Sequence, residues 1–513
     1  MSVSSVDSGI SRPRSTGPDS ISNGKLAAQG EDGSMLDKIK DQTTRSQLFS
    51  NVFYHLRNAE SRFFENQICT KAMETAMTEI DYVDNTQTSE MEVPPPVIEK
   101  EMARTWIRNY YDSFQFEGFR IPLEKSFLMS IPDLLEIPHV QLDYTSQVIY
   151  YTILLHGIML SSDDDDQTRD IVMPYLYRTC MELTDGWLGH IKNTQADLFA
   201  TFVMLAMALE GCKIELSWKI LSHSCSIAQA LGYFSVDGEP GEPSGPNTPT
   251  GNEKLTENET EIDKNRKRFE FWHLLRTDCL FRLSFGKPAL IKGGSWKVNF
   301  PDPTITGVDD ESTRFVQIHF LASMRLTLVL LKYLDLVDAV PAPDPEIYDT
   351  TVDTLIAEVQ SIMSGWNAEA LLSTTTNDID SSFCVDILFS SYKMLILFDQ
   401  SKNSNQRTDH LPRQTVDVAR KSLQMFQVVL GSRIYAHWGV SLILLHEFVP
   451  LFILCLDIIE CPERDGIDGD LALVAWISDF VHRTAQKRVE LRPAMAVMRG
   501  LALVCQRVGS GGQ

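Results

Sequence analysis

Residues 196–209, which read ADLFATFVMLAMAL, are apolar at almost every position. A helix that is apolar round its whole circumference must be buried on every side, so it requires a large protein around it. The chain has 513 residues, of which 43% are hydrophobic, and can supply such a surrounding. This segment therefore predicts a buried helix inside a large helical fold.

Helical periodicity continues on both sides of this segment. In residues 97–116, Met102, Trp106, Tyr110 and Phe114 recur at every fourth position and define one apolar face. No stretch sustains the alternation of a strand, so the predicted fold class is all-α, with one large multi-helix domain. Further helices are predicted at residues 45–80, 146–160, 312–338, 347–365, 380–399, 413–430, 434–459, 468–485 and 489–507.

Two more predicted helices stand on either side of the clearest interruption. The first ends at Gly232, a residue suited to the left-handed C′ position that closes a helix. The second begins near Asn265 and ends at Gly286. Between them, residues 237–263 contain four Gly, four Pro and eight acidic residues against one Lys. That composition predicts a long, flexible, acidic insertion.

Composition also sets apart the N-terminal part of the chain. Residues 1–34 hold nine Ser, five Gly, two Pro and no aromatic residue, which predicts disorder that extends over residues 1–44. Residues 45–96 are predicted to be a helical segment and a linker that ends in three consecutive prolines. Residues 97–507 are then predicted to form the all-α domain.

Charge and cysteine content restrict the function. The 69 acidic and 46 basic residues give a formal net charge of −23, which argues against binding DNA by charge, because that binding depends on Lys and Arg. The nine scattered cysteines predict free thiols in a reducing compartment. The N-terminus has no apolar signal region and no apolar run reaches about 18 residues, so we expect a soluble intracellular protein without a membrane span.

Complete motifs for metal, nucleotide or covalent chemistry are missing from the sequence. There is no CxxC pair, Walker loop or GxSxG elbow. The string that begins His446-Glu447 has Pro450 where a zinc-binding HExxH helix needs its second histidine. The sequence therefore predicts no catalytic residue, no cofactor and no metal site.

One acidic run comes close to a metal-binding motif. Asp165, Asp166 and Asp170 match the DDxxxD form with which all-α terpene synthases hold magnesium diphosphate, and hard cations favour clustered carboxylates. The usual second motif, NDxxSxxxE, is incomplete because Val385 occupies its glutamate position. A solvated loop is the favoured interpretation, and the test is whether these carboxylates face an apolar pocket.

Several charged residues and histidines on the predicted helices are interpreted as parts of the fold and not as ligands. A basic cluster lies at the start of the helix predicted to begin near Asn265. It is either a nuclear import signal or, as we favour, the solvated first turn of that helix. Asp278 and Arg282 are four apart and are predicted to pair on one helix face. The basic cluster consists of Lys264, Arg266, Lys267 and Arg268, and the histidines predicted to be core or boundary residues are His156, His223 and His273.

Two blocks of sequence carry a family resemblance. Residues 217–233 read SWKILSHSCSIAQALGY, and residues 265–291 read NRKRFEFWHLLRTDCLFRLSFGKPALI. Together they resemble the regulatory "middle homology" domain of fungal zinc-cluster transcription factors, with its helix "aW.ll..A..lA..lGlh" and its motif "e.rrRlfW…D…s...GrP..i". Weaker matches at 100–128 and 392–398 extend the resemblance over about residues 95–505. It implies an all-α regulatory domain whose acidic insertion is also typical of the family.

The resemblance does not include the family's DNA-binding module. That module needs six cysteines that hold two zinc ions in a small basic knuckle, whereas the first cysteine here, Cys69, stands alone. The position after Asp278, an arginine in the family, is Cys279. Neither DNA contact nor zinc is carried over to this chain. A gene model that had lost its first exon would give the same sequence.

The leading hypothesis is a fungal transcriptional regulator of a secondary-metabolite or nutrient-use gene set. It is expected in the nucleus, with the cytoplasm as a second location, and acts without its own zinc cluster through a protein partner or a small effector. It is not expected to be an enzyme. The alternatives are a helical protein-interaction scaffold and, least favoured, a terpene-synthase-like enzyme that uses Asp165, Asp166 and Asp170. The residues predicted to be structural are Trp218, Trp272, Asp278, Gly286 and Pro288.

Overall fold

The computed structural model of the protein describes residues 95–113, 120–161, 166–211, 213–238, 260–302, 304–305, 311–374, 378–404, 410–430, 446, 448–487 and 492–509. Within these ranges all regular structure is helical and no strand occurs, which confirms the all-α class. The predicted disordered segment 1–44, the helix predicted at 45–80 and most of the predicted insertion lie outside the described residues.

The N-terminal part of the described chain is built around two helices that are buried on nearly every side. It consists of α1 (Lys100–Ser113), α2 (Lys125–Leu134), α3 (Tyr144–Met159), α4 (Asp166–Leu188), α5 (Gln195–Glu210) and α6 (Ile214–Ala230). α3 packs against α1, α4 and α5, and α5 packs against α6. Because α3 and α5 are apolar round most of their circumference, they occupy the interior, as the sequence of α5 predicted.

α4 lies where the sequence predicted no helix. Its buried residues Leu176, Cys180 and Trp187 lie at spacings close to the helical period, so the pattern does contain a signal. Pro174 falls inside this pattern and obscures it, because proline usually ends or kinks a helix. Packing against α3 stabilises α4 in spite of the proline.

The middle of the described chain carries α7 (Glu261–Phe285), α8 (Glu311–Val337), α9 (Pro345–Trp366), α10 (Ala368–Thr374) and α11 (Asp378–Ser401). α6 and a 3-10 turn at Tyr233–Ser235 pack on α7 and so join the middle of the chain to the N-terminal helices. α8 packs against α7, α9 and α11. Residues 387–398 of α11 are buried throughout, because helices cover this stretch on several sides.

The C-terminal part consists of α12 (Arg413–Leu430), α13 (Phe448–Glu460), α14 (Ile467–Lys487) and α15 (Arg492–Gly509). Ion pairs join these helices: Arg464 Nε lies 2.7 Å from Asp457 Oδ2, and Arg420 Nε donates to Asp470 Oδ1 at 2.7 Å. Arg464 also contacts Asp470. Both carboxylates are buried, so this network fixes α12, α13 and α14 relative to one another.

The predicted helices match the observed ones within a few residues wherever they are described. The largest difference is the helix predicted at 434–459, of which the structure describes Phe448–Glu460, while most of 431–447 lies outside the described residues. The cysteines that the structure describes are free thiols, and all of them are buried except Cys461, which is partly exposed. Among the described helices, none combines the length and apolarity needed to cross a bilayer.

The closest approach between helix backbones among the described glycines occurs where α3 crosses α1. A Cβ atom built on Gly157 would lie 2.1 Å from the carbonyl oxygen of Trp106 and 2.8 Å from its Cα. Both of these atoms belong to the backbone, so no change of rotamer can make room. Glycine is therefore required at this crossing for steric reasons.

Replacing Gly157 with alanine is expected to lower the free energy of unfolding by about 3 kcal/mol, the upper part of the range for overpacking a core. The matched control is Gly365→Ala in α9, where a Cβ meets nothing within 4 Å. Because alanine favours a helix over glycine, the control should keep or slightly raise stability. Urea unfolding followed by circular dichroism measures both, and equal stabilities would show that the α1–α3 crossing relaxes freely.

Candidate functional site

The two sequence blocks that carry the family resemblance fold against each other. α6 ends at Gly232, whose φ of +79° is the left-handed conformation predicted for it. The chain then passes through the 3-10 turn and reaches α7, which ends at Gly286 with a φ of +58°. After Gly286, residues 287–302 return along α7 and contact it at several points.

Trp272 attaches this returning segment to α7. It is 3% exposed, and its indole Nε1–H donates to the carbonyl oxygen of Asn299 at 3.0 Å. Its ring centroid lies 5.5 Å from that of Trp296 and 4.8 Å from that of Phe300. The predicted core role of Trp272 is thus confirmed, whereas Trp218 is only partly buried at the edge of the core.

Asp278 holds the first part of the same segment. Its carboxylate is fully buried and accepts hydrogen bonds from the backbone N–H groups of Leu290 at 3.1 Å and Ile291 at 3.2 Å. The predicted pair with Arg282 is wrong, because Arg282 forms its ion pair with Asp338 at 2.9 Å. Helical spacing allowed that pair, but the loop after Gly286 supplies closer partners for the carboxylate.

In the basic cluster at the start of α7, Lys267 and Arg268 bind groups of the folded body, so the prediction of a solvated cluster is wrong for these two, whereas Lys264 and Arg266 are partly exposed. Arg268 is 9% exposed, and its guanidinium donates to Asp237 Oδ2 at 3.0 Å and to Glu261 Oε1 at 2.6 Å. Lys267 Nζ donates to the carbonyl oxygen of Leu231 at 3.0 Å. The two acids that bind Arg268 stand near the two ends of the predicted insertion, so these ends belong to the folded body.

A buried acid lies beside this cluster. Glu270 is 7% exposed, and its Oε2 accepts a hydrogen bond from the Tyr233 hydroxyl at 2.6 Å. Burial raises the pKa of Glu270 from 4.5 to about 7, although the hydrogen bond from Tyr233 and the nearby Arg266 and Lys267 act to lower it. This carboxyl group therefore titrates near neutral pH.

Replacing Glu270 with glutamine is expected to flatten the pH dependence of stability between pH 4.5 and about 7. In this window the folded chain keeps the Glu270 proton and the unfolded chain releases it, so the folded state binds more protons. The contribution to stability is complete below pH 4.5 and is lost as the pH rises through about 7, with a slope of up to about 1.4 kcal/mol per pH unit.

Urea unfolding of both proteins over a series of pH values measures this effect. Glu346→Gln, at an exposed position in the first turn of α9, serves as the control and should leave the wild-type curve unchanged. Curves for the wild type and Glu270→Gln that run parallel would show that Glu270 is ionised throughout.

The acidic near-motif leads into α4 and does not form a described site. Asp170 is exposed to solvent, whereas holding a diphosphate requires carboxylates that face an apolar pocket. Asp165 and the side chain of Asp166 lie outside the described residues. Across the part of the chain that the structure describes, no group of three His, Cys, Asp or Glu residues is arranged to hold a metal ion.

A different group of polar side chains, here called the polar recess, lies inside the middle part of the fold. Arg276 Nη2 lies 2.7 Å from Asp386 Oδ2 and donates to Ser390 Oγ at 3.0 Å. On the other side of the carboxylate, His446 Nε2 lies 3.6 Å from Asp386 Oδ1. The polar recess consists of Arg276 and His273 of α7, His319 of α8, Asp386 and Ser390 of α11, and His446.

The charged pair of the polar recess stays accessible although its surroundings are buried. The side chains of Arg276 and Asp386 are 17% and 26% exposed. Ser390, His319 and His446 are 5%, 6% and 2% exposed. The ion pair is therefore partly exposed, whereas the polar side chains beside it are buried.

The imidazoles of the polar recess are neutral near pH 7. Burial lowers the pKa of His273 to about 4 and that of His319 to about 3, and it also lowers the pKa of His446. Burial acts to raise the pKa of Asp386, but the charge of Arg276 and the contact with His446 outweigh it and hold that pKa well below its usual range. The recess therefore presents one guanidinium and one carboxylate among neutral rings.

Little in the sequence pointed to the polar recess. Its members come from four separate parts of the chain, and Arg276 and Ser390 are 114 positions apart. The available signal was single polar residues, such as Asp386 and His319, inside otherwise apolar helices. Of the histidines, His273 was predicted to be a core or boundary residue, and the structure agrees, since it is partly buried on α7.

The described residues define an all-α protein with a partly exposed ion pair between α7 and α11. Comparison of the chain with models of protein families, with curated proteins and with solved structures found no match in any of the three.

Proposed function

We propose that the protein is a fungal transcriptional regulator that acts through its helical domain without a zinc cluster of its own. It controls a gene set, of secondary metabolism or nutrient use, by binding a DNA-binding partner and responding to an effector. The proposal rests on the resemblance of residues 217–233 and 265–291 to the regulatory domain of zinc-cluster transcription factors.

The observation that carries the proposal is the packing of these two blocks into one unit. The residues that match the family pattern most specifically have defined structural tasks here: Trp272 and Asp278 hold the returning segment, and Gly286 supplies the left-handed turn before it. All three residues act on the same segment, residues 287–302. Their joint role supports the resemblance and, through it, the regulatory function.

Charge favours an indirect mode of action. With a net charge of −23, the chain lacks the excess of Lys and Arg that phosphate contacts require. Two of the four residues in the basic cluster, Lys267 and Arg268, are already bound to groups within the fold. Recruitment by a partner that binds DNA is therefore the mechanism proposed, with the gene set determined by that partner.

The test is chromatin association of the tagged full-length chain, combined with transcript profiling after deletion of its gene and after rescue with the intact chain. The proposal expects recovery of chromatin with the tagged protein and a defined set of transcripts that change on deletion and return on rescue. Crosslinked recovery should be lost when the DNA-binding partner is depleted.

A tagged protein that is found only in the cytosol, together with an unchanged transcript profile, would contradict the proposal. That result would favour the helical interaction scaffold, for which partners are expected without any effect on transcription. Recovery of chromatin by the purified chain alone, at physiological salt, would replace the indirect mechanism by direct DNA binding.

A further inference from the structure

The connection between α2 and α3 carries a cluster of exposed apolar side chains, here called the α2–α3 patch. It consists of Leu135, Ile137, Val140 and Tyr144, which are 47%, 46%, 39% and 36% exposed. Twelve large apolar side chains are exposed in the described part of the chain, and these four fall within ten residues. Single exposed apolar residues are common, but such a concentration marks an interaction surface.

Backbone and side-chain contacts keep this patch ordered. The N–H of Val140 donates to the carbonyl oxygen of Ile137 at 3.0 Å. The ring of Tyr144 lies so close to Gly186 that a Cβ atom there would come within 2.6 Å of it, and its centroid is 5.0 Å from that of His190. The α2–α3 patch is therefore a fixed apolar surface that another element can cover.

The chain enters the described region beside this patch. α1 begins at Lys100, whose Nζ lies 3.0 Å from Asp133 Oδ1 and 2.6 Å from Glu136 Oε2. Glu136 stands between two members of the patch in the sequence. The described chain begins at Pro95, five residues before these ion pairs, so residues 1–94 are joined to the body next to the α2–α3 patch.

The sequence of residues 45–64 suits such a surface. These residues belong to the helix predicted at 45–80, which lies outside the described residues. Within them an apolar face is predicted, because four apolar residues recur at helical spacing. The four residues are Leu48, Val52, Leu56 and Phe63.

The charges of the two surfaces are complementary. Residues 45–64 contain three arginines and one glutamate, a net charge of +2 in a chain of −23. Residues 97–104 and 133–144, around the patch, contain five acidic side chains against two basic ones, a net charge of −3. The positive segment is therefore attracted to the patch, whereas the same patch on a second copy of the chain is repelled.

The length of the connection permits this contact. Thirty residues, 65–94, separate the segment from Pro95. A random coil of this length spans about 30 Å on average, enough to return residues 45–64 to a surface beside Lys100. Tethering also gives the segment an effective concentration on the order of millimolar at that surface, so a small apolar patch is sufficient to bind it.

We infer that residues 45–64 dock as an amphipathic helix on the α2–α3 patch of the same chain. The apolar face of this helix covers Leu135, Ile137 and Val140, and its arginines lie toward the acidic side chains around them. The contact is internal to the chain and does not depend on the proposed function.

Hydrogen exchange of the purified full-length chain tests the inference. Amides of residues 48–63 are expected to exchange at least about tenfold more slowly than those of an unstructured chain of the same sequence. Ile137→Asp should remove this protection, because an ionised carboxylate within the apolar contact would have to lose its water. The control is Val428→Asp, which adds the same charge at a 76% exposed position of α12, a helix that packs on α11, α13 and α14.

A matched pair of substitutions tests the other side of the contact. Leu56→Asp and Asn58→Asp each add one negative charge, but two positions along a helix correspond to a turn of about 200°, so only Leu56 lies on the predicted apolar face. Leu56→Asp should raise the exchange rates of residues 48–63 by about tenfold or more, and Asn58→Asp should leave them protected.

Photo-crosslinking locates the contact without a change of charge. The full-length chain with benzoylphenylalanine in place of Val140 is expected to form a crosslink to residues 45–64 within the same chain, with the mass of a monomer. Unprotected amides in residues 48–63 would overturn the inference, and so would protection that is equal in Ile137→Asp and the wild type. Crosslinks between two chains, or a dimer that Ile137→Asp dissociates, would also overturn it and would assign the α2–α3 patch to a second copy.

Discussion

Replacing Trp272 with alanine is expected to lower the free energy of unfolding by roughly 3–5 kcal/mol, the range for removing a large buried aromatic side chain. Trp272 is 3% exposed and its ring lies against Trp296 and Phe300, so its loss leaves a cavity between α7 and the returning segment. The substitution also removes the indole donor from the carbonyl oxygen of Asn299. Urea unfolding followed by circular dichroism measures the change.

A matched variant separates packing from hydrogen bonding at this position. Trp272→Phe keeps an aromatic ring in the core but cannot donate to Asn299, so it should cost clearly less than the alanine variant. A change below about 1 kcal/mol for Trp272→Ala would mean that little packing is lost at this site and that the returning segment is held by other contacts.

Removing the guanidinium of Arg268 is the second substitution with a large expected effect. Arg268→Ala should lower the free energy of unfolding by about 3–5 kcal/mol, the usual cost of removing one partner from a buried ion pair. The side chains of Arg268 and Asp237 are 10% and 13% exposed. Without the guanidinium, the Asp237 carboxylate stays largely shielded from water, and among the described residues the backbone N–H of Asn299 remains as its close donor.

The control for this prediction is Arg282→Ala on the same helix. Its partner Asp338 is 69% exposed and is hydrated again when the arginine is removed, so the loss of this ion pair should cost about 1 kcal/mol or less. Equal losses for Arg268→Ala and Arg282→Ala would show that the Arg268–Asp237 pair is hydrated in solution.

The pH dependence gives a second view of the Arg268 pair. Burial acts to raise the pKa of Asp237, but the hydrogen bonds from Arg268 and from the N–H of Asn299 outweigh it, so the pKa is lowered. A lowered pKa means that this stabilisation is present above the ordinary Asp value and is lost as the pH falls through the folded-state value. Arg268→Ala should therefore make stability less sensitive to acid, opposite in sign to the window expected for Glu270.

The helices themselves could largely be predicted from the sequence. The periodic apolar positions of α1, α5 and α6 lie within one or a few turns of each other, so the signal is local, and Gly232 marks the end of α6 for an equally local steric reason. Three described helices were not predicted: α4 and the shorter α2 and α10. In α4, Pro174 breaks the pattern and contacts with α3 stabilise the helix. Such tertiary support cannot be read from the segment alone.

The partners of charged side chains could not be predicted in the same way. Helical spacing predicted an Asp278–Arg282 pair, yet Asp278 binds the backbone of Leu290 and Ile291 instead. The composition of residues 237–263 predicted a flexible segment beginning at Asp237, yet Arg268 binds this residue inside the fold. In both cases the partner lies more than ten residues away along the chain, beyond the reach of helical spacing or local composition.

The sequence by itself determined the all-α class, most of the helix positions and the absence of a zinc-cluster motif in the residues given, because these follow from local periodicity and from residue identity. The tertiary structure decided which polar groups meet. Arg276 and Ser390, 114 positions apart, come together because α7, α8 and α11 pack around a common interior. The angle and register of that packing depend on the whole core, so the polar recess became visible only in the folded chain.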